Sequence, residues 1–211
     1  MKKTTTKQIV MNAACRLFFL KGYHGTSVRD IAGQANVNVS LINYHFKSKQ
    51  GLLETLIVDY YELYLERIEQ NMKETKDCHP LDQICRLIDD ILHYKQEHHQ
   101  LTCLIQRELS MDNQFVREML VTYLSKENHL LYSLFKKVVS KKVADSRESK
   151  FLFLQLKGML QAPYAMPNDW KDFVTFDQSH HYFATHYSRT VQRWVTMMAD
   201  QPLINLLSKP S

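Results

Sequence analysis

The fold is legible first in residues 22–49, GYHGTSVRDIAGQANVNVSLINYHFKSK, which spell two short helices and the turn between them. Gly22 follows Lys21 and stops an earlier helix, because glycine accepts the positive φ a helix C-cap needs. Thr26 or Ser27 can cap the next helix, and Ser27-Val28-Arg29-Asp30 fits the capping-box pattern S-x-x-[DE]. Val28, Ile31, Ala32 and Ala35 recur at helical spacing and give that helix an inward side. Asn36 tolerates the left-handed conformation of a tight turn, Val37 plugs the core inside it, and Asn38 can cap the following helix. From Val39 to His45 the chemistry is mixed. Ile42 and Phe46 point inward, while Val39, Ser40, Leu41, Asn43, Tyr44 and His45 are left for the outer face. Two short helices joined by such a turn form a helix-turn-helix, whose second helix enters the DNA major groove.

Upstream, Thr4–Lys21 contains neither Gly nor Pro, and Ile9, Ala13, Leu17 and Leu20 form an apolar stripe with Val10, Ala14 and Phe18 beside it. This first helix supplies the packing that two short helices need. The charge distribution agrees. Residues 1–50 hold Lys2, Lys3, Lys7, Arg16, Lys21, Arg29, Lys47 and Lys49 against Asp30 alone, a net +7. The rest of the chain holds 19 cations and 21 acids, so the entire positive excess of a +5 protein sits in its first quarter. That asymmetry points to a polyanion-binding module on a near-neutral body.

The spaced pattern Gly22-Tyr23-x-x-Thr26-Ser27-Val28-Arg29-Asp30-Ile31-Ala32-x-x-Ala35-x-Val37-Asn38-x-x-x-Ile42-x-Tyr44-His45-Phe46-x-Ser48-Lys49-x-x-Leu52 resembles the DNA-binding domain of the TetR family. The resemblance implies an all-α homodimer. Residues 1–50 form the helix-turn-helix domain and residues 51–211 a helical body that dimerises through a four-helix bundle and often takes up a small ligand. It also implies roles. Thr26, Ser27 and Arg29 stand at the start of the second helix, near phosphates or a guanine edge. Ser40 and Asn43 are base-reading residues, with Val39 and Leu41 placed for thymine methyl groups. Tyr44, His45 and Lys49 are expected phosphate clamps, and Lys47 a weaker one. Asn43 departs from the pattern, where a Tyr is frequent. Gly51 also departs, costing helix stability in the first turn of a fourth helix unless packing is tight there.

In the body, apolar periodicity predicts helices over 52–72, 81–97, 100–110, 115–139, 151–162 and 180–198. Segment 151–162 is apolar on most sides, and Gly158 allows close approach, so it is assigned with 180–199 to the dimer interface. Residues 162–178, with Pro163 and Pro167, read as a long insert. Tyr61, Tyr123 and Met159 are candidate ligand-pocket residues, as aromatics and Met also suit plain core. Arg107, Glu108, Arg117 and Glu118 are candidates for a partner surface, or a solvated helix face. The insert, Leu154-Gln155-Leu156-Lys157 and the Tyr94–Glu108 region further resemble the RefZ group of DNA-binding proteins in sporulating bacilli. That resemblance implies binding near the replication origin and a possible cell-division protein as partner.

Other chemistries find no support. There is no Gly-rich phosphate loop, H-E-x-x-H or nucleophile motif, so an enzyme is not expected. Cys15, Cys78, Cys85 and Cys103 fit no zinc spacing and read as reduced, mostly buried thiols. His180, His181 and His186 are not at i, i+4, so no metal site and no cofactor are expected. Few Gly and Pro, five of each in 211 residues, favour long helices. No apolar run reaches membrane-spanning length, and the basic start lacks a signal-peptide core. A cytoplasmic, nucleoid-associated protein without membrane contact is the expectation.

Overall fold

The computed structural model describes residues 5–110, 114–139, 141–144, 146–165 and 180–200. The described residues are all-helical: α1 Thr6–Lys21, α2 Val28–Ala35, α3 Val39–Phe46, α4 Lys49–Glu74, α5 Pro80–Glu97, α6 His99–Ser110, α7 Gln114–Val138, α8 Lys141–Ala144, α9 Glu148–Ala165 and α10 His180–Asp200. Packing gathers them into two compact units. The first joins Met1–Tyr64 with His98–Met119; the second joins Leu65–Glu97 with Leu120–Ser211.

In the first unit α1 packs on α2, α3 and α6. Its core is built from Val10, Ala14, Phe18, Ile31, Ile42, Phe46, Leu52 and Leu53, all buried. The apolar stripe of α1 is rotated from the expected one. Val10, Met11, Ala14, Leu17 and Phe18 are buried, whereas Ile9 is 39% and Leu20 63% exposed. At 100° per residue, Ile9 and Leu20 lie roughly 120–140° from the direction of Ala14, outside a buried band of ordinary width. Gly51 meets the expected condition of tight packing. A Cβ there would stand 2.2 Å from the Phe46 carbonyl oxygen, so only glycine lets the chain pass from α3 into α4 this closely.

In the second unit α10 packs along α5, and α9 touches both. The α5 stripe is buried as its periodicity requires, with Ile84, Leu87, Ile88, Ile91 and Leu92 all at 1% exposure or less. One expectation changes here, and a second point concerns the face assigned to the dimer. First, α9 continues through Pro163 to Ala165 instead of ending at 162. Proline has no N–H, so the carbonyl four residues earlier, Met159, loses its helical donor. The Tyr187 hydroxyl donates to that oxygen at 2.9 Å, and Lys95 Nζ donates to the next one, Leu160, at 3.1 Å. Side chains from α10 and α5 thus satisfy the carbonyls around the break. Second, α9 is not buried on most sides of this chain. Leu156 and Leu160 are buried, but Phe151 is 66% and Leu154 68% exposed, and Gly158 faces open space. The expected insert beyond Ala165 lies outside the described residues.

The buried charge of the second unit is concentrated in one cluster. Lys157 Nζ lies 2.6 Å from Glu127 Oε2, and both side chains are nearly inaccessible. Burial, offset in part by Glu127, lowers the Lys95 ammonium to about 8. Of the four thiols Cys103 is buried and the other three half-buried, none in a disulfide. Burial raises Cys15 to about 11 and Cys103 to about 12, so both stay protonated near neutral pH.

Candidate nucleic-acid interface

The local signals of residues 22–49 form as the chemistry requires. Gly22 takes φ 77 and its N–H closes on the Phe18 carbonyl. Ser27 caps α2 in a complete capping box: Asp30 N–H donates to Ser27 Oγ at 3.1 Å, and Ser27 N–H donates to Asp30 Oδ2 at 2.8 Å. The Ser27 hydroxyl also donates to Asp30 Oδ2 at 2.7 Å, and this bond, with that of the Ser27 N–H, holds the Asp30 carboxyl below its ordinary value. Asn36 adopts the left-handed conformation at φ 51, and Asn38 caps α3 by accepting from the Ser40 N–H at 2.9 Å. Lys47, after α3, also has positive φ, at 64°.

These caps set one outward face. Arg29, Ser40, Leu41, Asn43, Tyr44, His45 and Lys47 are all exposed, and Tyr44 reaches 80%. Val39 is half-buried at the start of α3. Ile42 and Phe46 anchor the helix from the other side. Tyr44 and His45 meet edge to face, with centroids 5.0 Å apart. The Ser40 hydroxyl donates to Asn38 Oδ1 at 2.9 Å and keeps its oxygen lone pairs for an incoming donor. The face therefore carries an exposed amide and hydroxyl, an apolar Leu41, and imidazole, phenolic and basic groups around them.

Two expected DNA residues are engaged inside the protein. Thr26 is buried, and its hydroxyl lies within bonding distance of the Leu17 and Gly22 carbonyls, at 3.2 and 2.9 Å. It holds the α1–α2 connection and presents no hydroxyl outward. Lys49 Nζ donates to the carbonyls of Tyr23 and Thr26 at 2.9 and 2.8 Å, and stands 4.3 Å from the Tyr23 ring centroid. It is half-buried and already bonded, unlike the free clamp expected. Nothing in the sequence marks Tyr23 as its platform, because 26 positions separate the two and no periodicity links them.

The partner-surface candidates divide. Glu108 is buried, and its charge adds to burial in raising the Tyr23 phenol. Arg107 is half-buried and donates to the Phe19 carbonyl at 2.9 Å. The tight packing of α6 on α1 turns both inward, so only Arg117 and Glu118 remain exposed. The ligand candidates also divide. Tyr61 is buried in the first unit, and Tyr123 and Met159 are half-buried in the second.

A Ser-His-Asp set does come together away from this face. Ser188 donates to Asp89 Oδ1 at 2.6 Å, and His93 Nδ1 lies 3.4 Å from Asp89 Oδ2. The serine bonds the carboxylate, however, and His93 Nε2 approaches Thr185 at 3.3 Å, so the set ties α5 to α10 and is not arranged as nucleophile and base. Among the described residues no three His, Cys, Asp or Glu side chains gather for a metal. No described helix is long and apolar enough to cross a membrane.

A capped helix-turn-helix with an exposed polar and basic second helix defines a DNA-binding regulator, and comparison with known proteins narrows the class. Residues 10–56 match the signature of bacterial regulatory proteins of the tetR family. Over 193 residues, 92% of this chain and 93% of the relative, the sequence is 33% identical to the probable HTH-type transcriptional regulator YttP of Bacillus subtilis (strain 168). The chain belongs to the tetR family. Its fold is similar to that of PfmR from Thermus thermophilus, with a TM-score of 0.66 at 18% identity over 87% of this chain and 97% of that one. It is equally similar to FadR from Bacillus subtilis in complex with stearoyl-CoA, with a TM-score of 0.66 at 20% identity over 89% and 96%. The protein is thus a TetR-type DNA-binding transcriptional regulator, and these relatives are described as regulators, not enzymes.

Proposed function

We propose that the protein binds an inverted repeat in double-stranded DNA as a homodimer, with residues 1–50 as the reading head and 51–211 as the dimerising body. The observation that carries this is the exposed face of α3, where Ser40, Asn43, Tyr44 and His45 project while Ile42 and Phe46 hold the helix in place. One such helix covers only a few base pairs, so two heads reading two half-sites are needed for specificity. The exposed Phe151, Leu154 and Gly158 of α9 and the exposed Tyr182 and Met197 of α10 support these helices as the dimer contact, a four-helix bundle with the second copy. Asn43→Ala is expected to relax base choice, and Tyr44→Ala to weaken binding to every sequence alike. A base-substitution affinity series checks both. Unchanged preferences in Asn43→Ala, or a stable monomer on and off DNA by light scattering, count against the reading.

Within this class we favour a nucleoid-associated factor that links chromosome position to cell division, acting through a division protein at an outer face such as that of Arg117 and Glu118. Its support is the resemblance of the body to the RefZ group, which covers Lys95 and Lys157, the cations of the buried cluster. Genome-wide crosslinking in the native host tests it. A few sites around the replication origin, with little change in nearby transcripts, are expected. A single site at a neighbouring promoter favours the second reading, a ligand-responsive repressor whose body admits an effector near Tyr61, Tyr123 or Met159. That reading draws on the 28% identity over 120 residues, 55% of this chain and 61% of the relative, to the fatty acid metabolism regulator protein of Bacillus subtilis. Release of DNA on adding a long-chain acyl-CoA is its test.

A further inference from the structure

We propose that Lys49 is a positioning residue: its ammonium bridges the start of α4 to the loop that launches α2, and sets Ser27 and Arg29 for DNA without gripping a phosphate itself. The bridge is anchored on both sides. Lys49 opens α4, three residues after Phe46 ends α3, across Lys47 and Ser48. The two carbonyls it bonds, Tyr23 and Thr26, belong to the connection between α1 and α2. Ser27, the cap of α2, follows Thr26 directly, and Arg29 lies in the first turn beyond it.

That connection is otherwise held from below. The Thr26 hydroxyl lies against Leu17 and Gly22, and a Cβ at Gly25 would stand 2.4 Å from the Lys21 carbonyl oxygen. The lysine's two bonds tie residues 22–27 to the start of α4 and so close the triangle of α2, α3 and α4. An ammonium has three donors; two are bonded to carbonyls, and the Tyr23 ring faces the same charge at 4.3 Å. Reaching a phosphate would break contacts that an exposed lysine such as Lys47 does not have to give up.

The inference rests on α2 and α3 facing DNA, and the test separates the two ideas. In the free protein, Lys49→Met is expected to speed amide exchange at Thr26, Ser27 and Asp30 by about tenfold or more, while Val10 and Phe18 in α1 keep their protection. Acylation of lysines in the unmodified protein, followed by mass spectrometry, should find Lys49 slower than Lys47. A mixed-sequence duplex should then protect Lys47 and leave Lys49 unchanged. On that duplex Lys49→Met is expected to bind about tenfold more weakly with its salt slope intact, and adding Arg29→Ala should cost much less than it does in the unmodified protein. The proposal is overturned by unchanged exchange at the three amides, by fast acylation of Lys49 that DNA suppresses, or by a salt slope reduced by about 0.9, the loss of one phosphate contact. If the unmodified protein binds no duplex, the DNA reading falls, and exchange and acylation in the free protein still decide the bridge.

Discussion

The reading head and the second unit solve the same problem, satisfying polar groups at helix ends and breaks, by opposite means. In the head the partners are neighbours in sequence: Ser27 with Asp30, Asn38 with Ser40, Gly22 with Phe18. In the second unit they are far apart: Tyr187 with Met159, Lys95 with Leu160, Gln192 with Cys85, Tyr164 with Leu92. The head thus closes its helix ends through short-range bonds, with Lys49 as a long-range tie, and leaves the outer side chains of α3 exposed. The second unit turns many of its polar side chains on itself, and the exposed surface of α9 and α10 mixes Phe151, Leu154, Tyr182 and Met197 with Gln155, Arg189 and Arg193.

The comparison breaks most readily at the buried ions. Glu127→Gln leaves two ammonium groups buried with their carboxylate gone, and is expected to cost about 3–5 kcal/mol. Urea unfolding measures it, and the loss should fall on stability, with the DNA affinity of folded protein little changed. Lys95 gives the same contrast a pH signature. Its folded value, about 8, lies below the ordinary lysine value of 10.5. The unfolded chain then binds more protons between these two values, so this group's penalty is full below about 8 and is relieved as pH rises toward 10.5. Lys95→Met should remove that rising component from the stability–pH curve, and an identical curve for both proteins would refute the assignment.

Gly51→Ala tests close approach in the head. Helix propensity alone predicts a gain, but a Cβ 2.2 Å from the Phe46 oxygen predicts a loss of about 1–3 kcal/mol. A higher melting temperature for the variant would mean the α3–α4 joint is looser than described. Tyr187→Phe should cost about 1–3 kcal/mol by leaving the Met159 carbonyl without a donor. Pro163→Ala restores the helical N–H, so the Tyr187→Phe loss should shrink in that background. Equal losses in both backgrounds would show the hydroxyl acts elsewhere. The smallest effect is at the cap: Ser27→Ala should cost about 1 kcal/mol. Here, unlike in Glu127→Gln, stability and DNA affinity should fall together, because the cap shapes the proposed DNA face itself.

Residue by residue, legibility tracked the range of the interaction. The C-cap at Gly22, the capping box at Ser27, the left-handed Asn36 and the cap at Asn38 were all readable, since each depends on side chains within four positions. The outward set on α3 followed from Ile42 and Phe46 alone. Thr26 and Lys49 were readable as members of the head but not in their roles, because the groups they bond lie up to 26 positions away. Glu108 looked like a surface acid on a polar helix. Its burial comes from α6 packing on α1, which no local pattern encodes.

The sequence by itself therefore determined the all-helical class, the charge asymmetry, the helix-turn-helix and its outward face. Backbone caps, glycine and asparagine conformations and a 3.6-residue period are all local physics. Tertiary structure decided which way the α1 stripe turns, how Pro163 sits inside α9, and what Lys49, Arg107 and Glu108 touch. Those outcomes depend on carbonyls, rings and buried charges brought together across 26 to 88 positions, as with Arg107 and Phe19. A side chain's partner at that range is selected by the packed fold as a whole, and its own neighbours in the chain carry no trace of it.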